Sequence, residues 1–165
     1  MEDKNIFSES YYSNSPGYPS EERLRKGKVA IIECVEEIPC NVCEIACRKG
    51  AIRVGKPITN LPELIEEKCT GCGQCIPGCP GLAIFCIDNN YSKTHSTISL
   101  PYEFLPLPEK GQIVFCLNRS GKEICKGMIV RVVPPEKNNH TAIVTVAILK
   151  RYSGDVRWIK IKRKK

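Results

Sequence analysis

One run of twelve residues constrains this 165-residue chain more than any other: Cys69-Thr-Gly-Cys72-Gly-Gln-Cys75-Ile-Pro-Gly-Cys79-Pro80. Its spacing is C-x2-C-x2-C-x3-C-P without a departure. Three thiolates separated by two residues each can wrap one iron–sulfur cube, while the fourth reaches across to a second. Gly71 and Gly73 let the backbone come close to such a cube and turn N–H groups toward its sulfurs. A zinc site would divide four thiolates between two separated knuckles, and a crowded run ending in Cys-Pro is not that pattern.

The partner half lies upstream as Cys40-Asn-Val-Cys43-Glu-Ile-Ala-Cys47, followed by Gly50-Ala51-Ile52. A shift of 32 residues carries Cys40, Cys43 and Cys47 onto Cys72, Cys75 and Cys79, and Ala51-Ile52 onto Ala83-Ile84. The repeat is imperfect. Glu37 falls opposite Cys69, and Arg48 stands where Pro80 follows the last cysteine. Cys34, just after the apolar run Val29-Ala30-Ile31-Ile32, is placed to supply the missing thiolate if the loop 35–39 folds back. Three rivals remain at this point: a three-iron cluster lacking that ligand, a carboxylate from Glu37, and a purely structural Cys34.

Residues 29–88 resemble the two-cluster ferredoxin family. The resemblance implies an α+β fold, a ferredoxin-like pair of β-α-β halves around two [4Fe–4S] clusters. Carried over by position, it implies that Cys69, Cys72, Cys75 and Cys47 hold one cluster. Cys40, Cys43 and Cys79, with Cys34 as the expected fourth ligand, would hold the other, which becomes [3Fe–4S] without Cys34. Four further stretches, Ile31-Ile32-Glu33-Cys34, Ile38-Pro39-Cys40-Asn41, Thr59-Asn60-Leu61-Pro62 and Pro101-Tyr102-Glu103-Phe104-Leu105-Pro106, are similar to small iron–sulfur subunits of FAD-dependent amino-acid dehydrogenases. Proline and hydroxyproline dehydrogenase complexes are the members meant. That similarity implies flavoprotein partner subunits, with the FAD in the partner.

Eleven cysteines in a chain without a basic-then-apolar leader argue for metal ligation in a reducing cytoplasm rather than a disulfide framework. No apolar run approaches the length of a membrane span. The formal charge is +7, but each oxidised cube with four thiolates contributes roughly −2, because ligating thiols are deprotonated. The loaded protein is then only mildly basic, and no basic face with groove-reading or aromatic elements marks a nucleic-acid binder.

The chain divides into four expected segments. Residues 1–27 are a polar arm rich in Ser, Tyr and Pro, ending in a short helix capped by Ser20 and stopped at Gly27. The arm is either a loose tail or a tether whose tyrosines pack on a partner. Residues 28–90 form the two-cluster unit, with Val29–Ile32, Ala51–Val54 and Leu82–Asp88 as its strands. Residues 91–111, with Pro101, Pro106 and Pro108, read as an extended crossing. Residues 112–165 form a small antiparallel β domain with a basic tail. Its strands are 112–117, 123–133, 141–149 and 156–161, and Ser120-Gly121 turns between the first two. The lysines alternating with Ile159 and Ile161 suit an edge strand.

Three cysteines fall outside the ligand spacing. Cys86 reads as a small buried apolar residue. Cys116 and Cys125 face each other across the turn as two buried thiols, with a disulfide or a third metal site as alternatives. His95 and His140 lack ligand spacing and read as surface residues. There is no nucleophile–base constellation, phosphate-cradling glycine loop or nucleotide fingerprint. Clusters pass single electrons and do not take a hydride from a substrate. The expectation is therefore a non-catalytic electron-transfer subunit relaying electrons from a flavin partner, with a free diffusible ferredoxin as the alternative.

Overall fold

The computed structural model describes residues 8–161. The described part of the arm holds two short helices, α1 (Glu9–Ser13) and α2 (Glu21–Leu24). Ser20 caps α2 as expected, its Oγ accepting from the Arg23 N–H at 3.1 Å, and Gly27 ends the turn at φ +115°. Tyr18 packs on the core and donates its hydroxyl to Glu9 at 2.7 Å. Tyr12 lies under the Arg119 guanidinium, 4.9 Å from the ring centre. These two tyrosines dock the arm on its own chain.

Among the described residues nine strands follow: β1 (Val29–Ile32), β2 (Ile52–Arg53), β3 (Glu63–Leu64), β4 (Ile84–Asp88), β5 (His95–Tyr102), β6 (Ile113–Leu117), β7 (Glu123–Val133), β8 (Ala142–Leu149) and β9 (Trp158–Lys160), with helix α3 (Val42–Ala46) between β1 and β2. Single 3-10 turns sit at Pro135–Lys137 and Lys150–Tyr152. Seven strands make one antiparallel sheet in the order β1-β4-β5-β8-β7-β6-β9, and β2 pairs separately with β3. The sheet crosses both divisions expected at 90 and 111. Its hinge is β5, which pairs with β4 through Cys86↔Ser99 and with β8 over eight registered pairs from His95↔Leu149 to Tyr102↔Ala142.

The stretch read as an extended crossing thus contains the strand that joins the two halves. It escapes a hydropathy reading because its buried positions include Ser96, Thr97 and Ser99. The two serines have their polarity satisfied in place: Ser96 donates to Asn89 at 2.7 Å, and Ser99 shares a 2.9 Å bond with Thr145 on β8. Pro101 is tolerated because it lies past the residues that pair with β4, where β5 has a neighbour on one side only.

The core sits on the sheet. Val29, Ile31, Ile32, Ile76, Ile98, Leu100, Val144 and Val146 are fully buried. β1 is apolar at all four positions because it is covered on both faces. Its outer edge is closed by the arm: the Ile32 N–H donates to the Gly17 carbonyl at 3.0 Å, and Leu64 of β3 donates to Pro16 at 2.9 Å. β9 is the far edge strand, with Lys160 paired to Glu123 at 2.8 Å.

Candidate metal centre

β1 pairs with β4 and β2 with β3, so the two connections that carry the cysteines are brought side by side. One connection runs from β1 through α3 to β2 and holds Cys34 to Cys47. The other runs from β3 to β4 and holds Cys69 to Cys79. Eight cysteines on two loops line two recesses.

The first recess is lined by Cys47, Cys69, Cys72 and Cys75, with Ala30, Ala51 and Ile52 as apolar wall. The second is lined by Cys34, Cys40, Cys43 and Cys79, with Ile32, Pro62 and Ile84 around them. Cys47 and Cys79 have exchanged halves. Each lies with the three cysteines contributed by the other stretch of chain. Cys34 faces the second recess, which requires the loop 35–39 to fold back, and the bonds from Cys40 N–H to the Ile38 and Ile58 carbonyls hold that loop. Glu37 is exposed and lines neither recess.

Backbone donors reach the sulfurs. The Ala51 N–H donates to Cys47 Sγ at 3.3 Å, and the Ala83 N–H to Cys79 Sγ at 3.5 Å. Those two bonds are equivalent under the 32-residue shift. The Ala30 N–H adds a third, to Cys69 Sγ at 3.4 Å. Such bonds stabilise a thiolate and tune any metal it holds. The loops are themselves fixed by long side chains. Arg23 donates to four carbonyls, those of Gly27, Lys28, Glu66 and Cys69. Glu44 of α3 accepts from the Val54 and Gly55 N–H groups, both at 3.1 Å.

Burial pushes the Cys34 thiol up, and pushes Cys43 from 9.0 to about 11. Cys75 is raised first by its hydrogen bond with Cys86 and then by burial. These thiols are neutral near pH 7 until a metal replaces their protons, so loading must expel protons. Soft sulfur donors, apolar walls and N–H···S bonds fit an iron–sulfur group. Among the described residues no three His, Cys, Asp or Glu side chains converge as a single-ion site. A cube attaches its thiolates to four different irons, so it asks for donors spread around a recess rather than drawn to one point.

Residues outside the spacing rules also matter here. Cys86 is fully buried on β4, as expected, but it also lines the first recess and bonds to Cys75. That contact is made across the fold and leaves no trace in sequence spacing. Arg23 and Glu44 are equally invisible to a motif. A larger cavity of about 860 Å³ lies between Phe104, Leu107 and Trp158, and it is lined by no cysteine or histidine.

Residues 62–85 match the family of 4Fe-4S binding domains. The chain is also 47% identical over 60 residues to one subunit of the ion-translocating oxidoreductase complex of Methanosarcina acetivorans, covering 36% of this chain and 22% of that protein. It is 33% identical over 93 residues to Protein Pixie of Drosophila melanogaster, covering 48% of this chain and 15% of that protein. The chain therefore spans less than a quarter of the length of either relative. No solved structure matches the chain. The second cysteine run, Cys69 to Cys79, thus lies within a segment similar to 4Fe–4S binding domains. No helix among the described residues is long and apolar enough to cross a membrane.

Proposed function

We propose that the chain is a two-cluster electron relay of a multi-subunit flavin dehydrogenase. Cys47, Cys69, Cys72 and Cys75 hold one [4Fe–4S] cluster, and Cys34, Cys40, Cys43 and Cys79 hold the other. The fold around them is a ferredoxin-like pair of halves. A bound cluster supplies reversible one-electron transfer. The chain's own residues place it: cysteines hold it, the Ala30, Ala51 and Ala83 N–H groups stabilise its thiolates, and apolar walls keep water off. The observation that carries this reading is the pair of recesses, each lined by four cysteines drawn from both loops, with Cys86 of β4 as a fifth in the first.

The partner is a flavoprotein that oxidises an amino acid of the proline or hydroxyproline type and hands its electrons singly to this chain. Support comes from the four stretches that resemble such subunits, and from the relative whose name places it in an oxidoreductase complex. The chain holds no nucleotide fingerprint of its own.

Anaerobic native purification tests both parts. Iron and sulfide near eight per chain, with a co-eluting flavoprotein whose substrate bleaches the cluster absorbance, is the expected result. About four irons would remove the second cluster. A lone brown monomer would place the chain among diffusible carriers instead.

A further inference from the structure

Two cysteines that line neither recess stand directly opposite each other in the ladder between β6 and β7, in the register Cys116↔Cys125. Directly opposed residues of an antiparallel pair project to the same face. Their Cα atoms lie about 4.5–5.5 Å apart, inside the roughly 4.4–6.8 Å that a disulfide spans. Both thiols are free, Cys116 fully buried and Cys125 partly open to solvent.

The local packing directs one sulfur toward the other strand. Gly127 is the next position of β7 on the inward face. A Cβ placed there would lie 2.8 Å from Cys116 Sγ, so the sulfur occupies the space that a larger residue at 127 would fill. Cys116 Sγ therefore leans across the strand gap onto β7, over Gly127, on the same face of the ladder as Cys125. The ladder slips by one residue directly after the pair, between Cys116 and Leu117. A slip of this kind disrupts the ladder locally and bends the bulged strand beside the pair.

We infer that Cys125 and Cys116 form a reversible dithiol–disulfide site that reacts with low-molecular-weight disulfides of the glutathione class. Cys125 is the attacking thiol and Cys116 the resolving one. The Cys125 thiolate attacks one sulfur of the small disulfide, forming a mixed disulfide and releasing one small thiolate, which takes up a proton. Cys116 then loses its proton and attacks Cys125 Sγ, closing the intramolecular bond and releasing the second small thiol. The protein dithiol loses two electrons and two protons; the small disulfide gains both. The roles follow from exposure, since only Cys125 can be reached from solvent. The hydrogen bond from Cys116 and the charge of Arg151 act in the same direction, holding the Cys125 thiol below its ordinary range, whereas the same bond and burial raise Cys116. An accessible thiolate beside a second thiol is the arrangement that exchange followed by ring closure needs.

The test uses the intact, cluster-loaded protein under anaerobic conditions, equilibrated with glutathione at graded oxidised-to-reduced ratios. Samples are quenched in acid, alkylated with N-ethylmaleimide and mapped by mass spectrometry, with cluster absorbance followed in parallel. The expected result is a linked pair of peptides containing residues 116 and 125 and the loss of both maleimide adducts, with cluster absorbance unchanged. Cys116→Ser should stop at a glutathione adduct on Cys125, and Cys125→Ser should leave Cys116 fully alkylated. Retention of both adducts in the unsubstituted protein at the most oxidising ratio overturns the inference, whatever the variants do. So does disulfide formation only in step with loss of cluster absorbance, because the thiols would then be reporting cluster breakdown.

Discussion

Cys47 and Cys79 each accept an N–H from the residue four positions further on, and the two bonds sit 32 residues apart in a chain whose repeat has that period. A sulfur with that bond needs its loop in one conformation, so the repeat in sequence is also a repeat in thiolate stabilisation. The grouping of Cys69, Cys72 and Cys75 in one recess and of Cys40 and Cys43 in the other follows from local spacing and was therefore legible. Cys34 was not settled by spacing, because its place depends on the return of the loop 35–39. The residue-scale prediction follows from the two proposed sets of four ligands, which leave out Cys86 although it lines the first recess. Cys72→Ala should remove about half of the roughly eight irons and stop electron transfer, whereas Cys86→Ala should keep them all. Cys34→Ala should leave a three-iron cluster, visible as an oxidised-state paramagnetic signal absent from the parent. Iron analysis with paramagnetic resonance separates the three, and equal iron loss in the first two would overturn the assignment. A second check is chemical. Below its pKa a thiol's alkylation rate rises about tenfold per pH unit, because only the thiolate reacts. In cluster-free protein, Cys43 should go on rising to about pH 11, well past 9.0. Residue-resolved alkylation from pH 7 to 12 measures it, and a plateau near pH 9 would show that Cys43 is not buried.

At the scale of elements, the strands with apolar alternation or apolar runs were readable, and β1, β4, β6, β7 and β8 fall where those patterns end. β5 was not readable as a strand. Its buried Ser96 and Ser99 spend their polarity on Asn89 and Thr145, partners that belong to other elements, and its proline lies where a ladder bond is dispensable. The cysteine loops are positioned by turns whose glycines do different jobs. Gly71 has φ +66°, and a Cβ there would lie 2.5 Å from the Lys28 carbonyl oxygen, at the start of β1. Gly121 in the β6–β7 turn has φ +78° with open space around it. Left-handed strain costs about 1–2 kcal/mol for a residue with a Cβ, and overpacking against rigid backbone adds about 1–3 kcal/mol. Gly121→Ala should therefore lose only the first contribution and Gly71→Ala both. At roughly 2–4 °C per kcal/mol for a chain of this size, melting of the loaded proteins should place Gly71→Ala several degrees below Gly121→Ala. Equal Tm values would mean that the cysteine loop yields freely and that its approach to β1 is not a constraint.

For the whole molecule, the decisive contact is one that joins the cysteine half to the far end of the sheet. Glu33, beside Cys34, accepts two bonds from Arg119, at 2.6 and 3.1 Å, and one from Arg157 at 2.7 Å. All three side chains are at most 7% exposed. Arg119 lies in the β6–β7 turn and Arg157 leads into β9, so a single carboxylate ties both to the end of β1. Arg157 also stacks over Phe85 of β4, 5.5 Å from its ring centre. Glu33→Ala would leave two buried guanidiniums facing each other without an anion, a loss of about 3–5 kcal/mol. Continuity of the sheet through β5 decides how that loss is felt. If the halves unfold as one unit, a change at Glu33 must lower the stability of both together. The chain carries two independent reporters: cluster absorbance for the cysteine half, and the fluorescence of its single tryptophan, Trp158, which stacks on Tyr102 at the far edge. Heating the loaded protein should give coincident midpoints by the two probes. Glu33→Ala should lower both by the same amount, at least about 6 °C. Separate midpoints in the parent, or a shift confined to one probe in the variant, would mean that β5 joins two units that melt apart, and that the salt bridge serves only one of them.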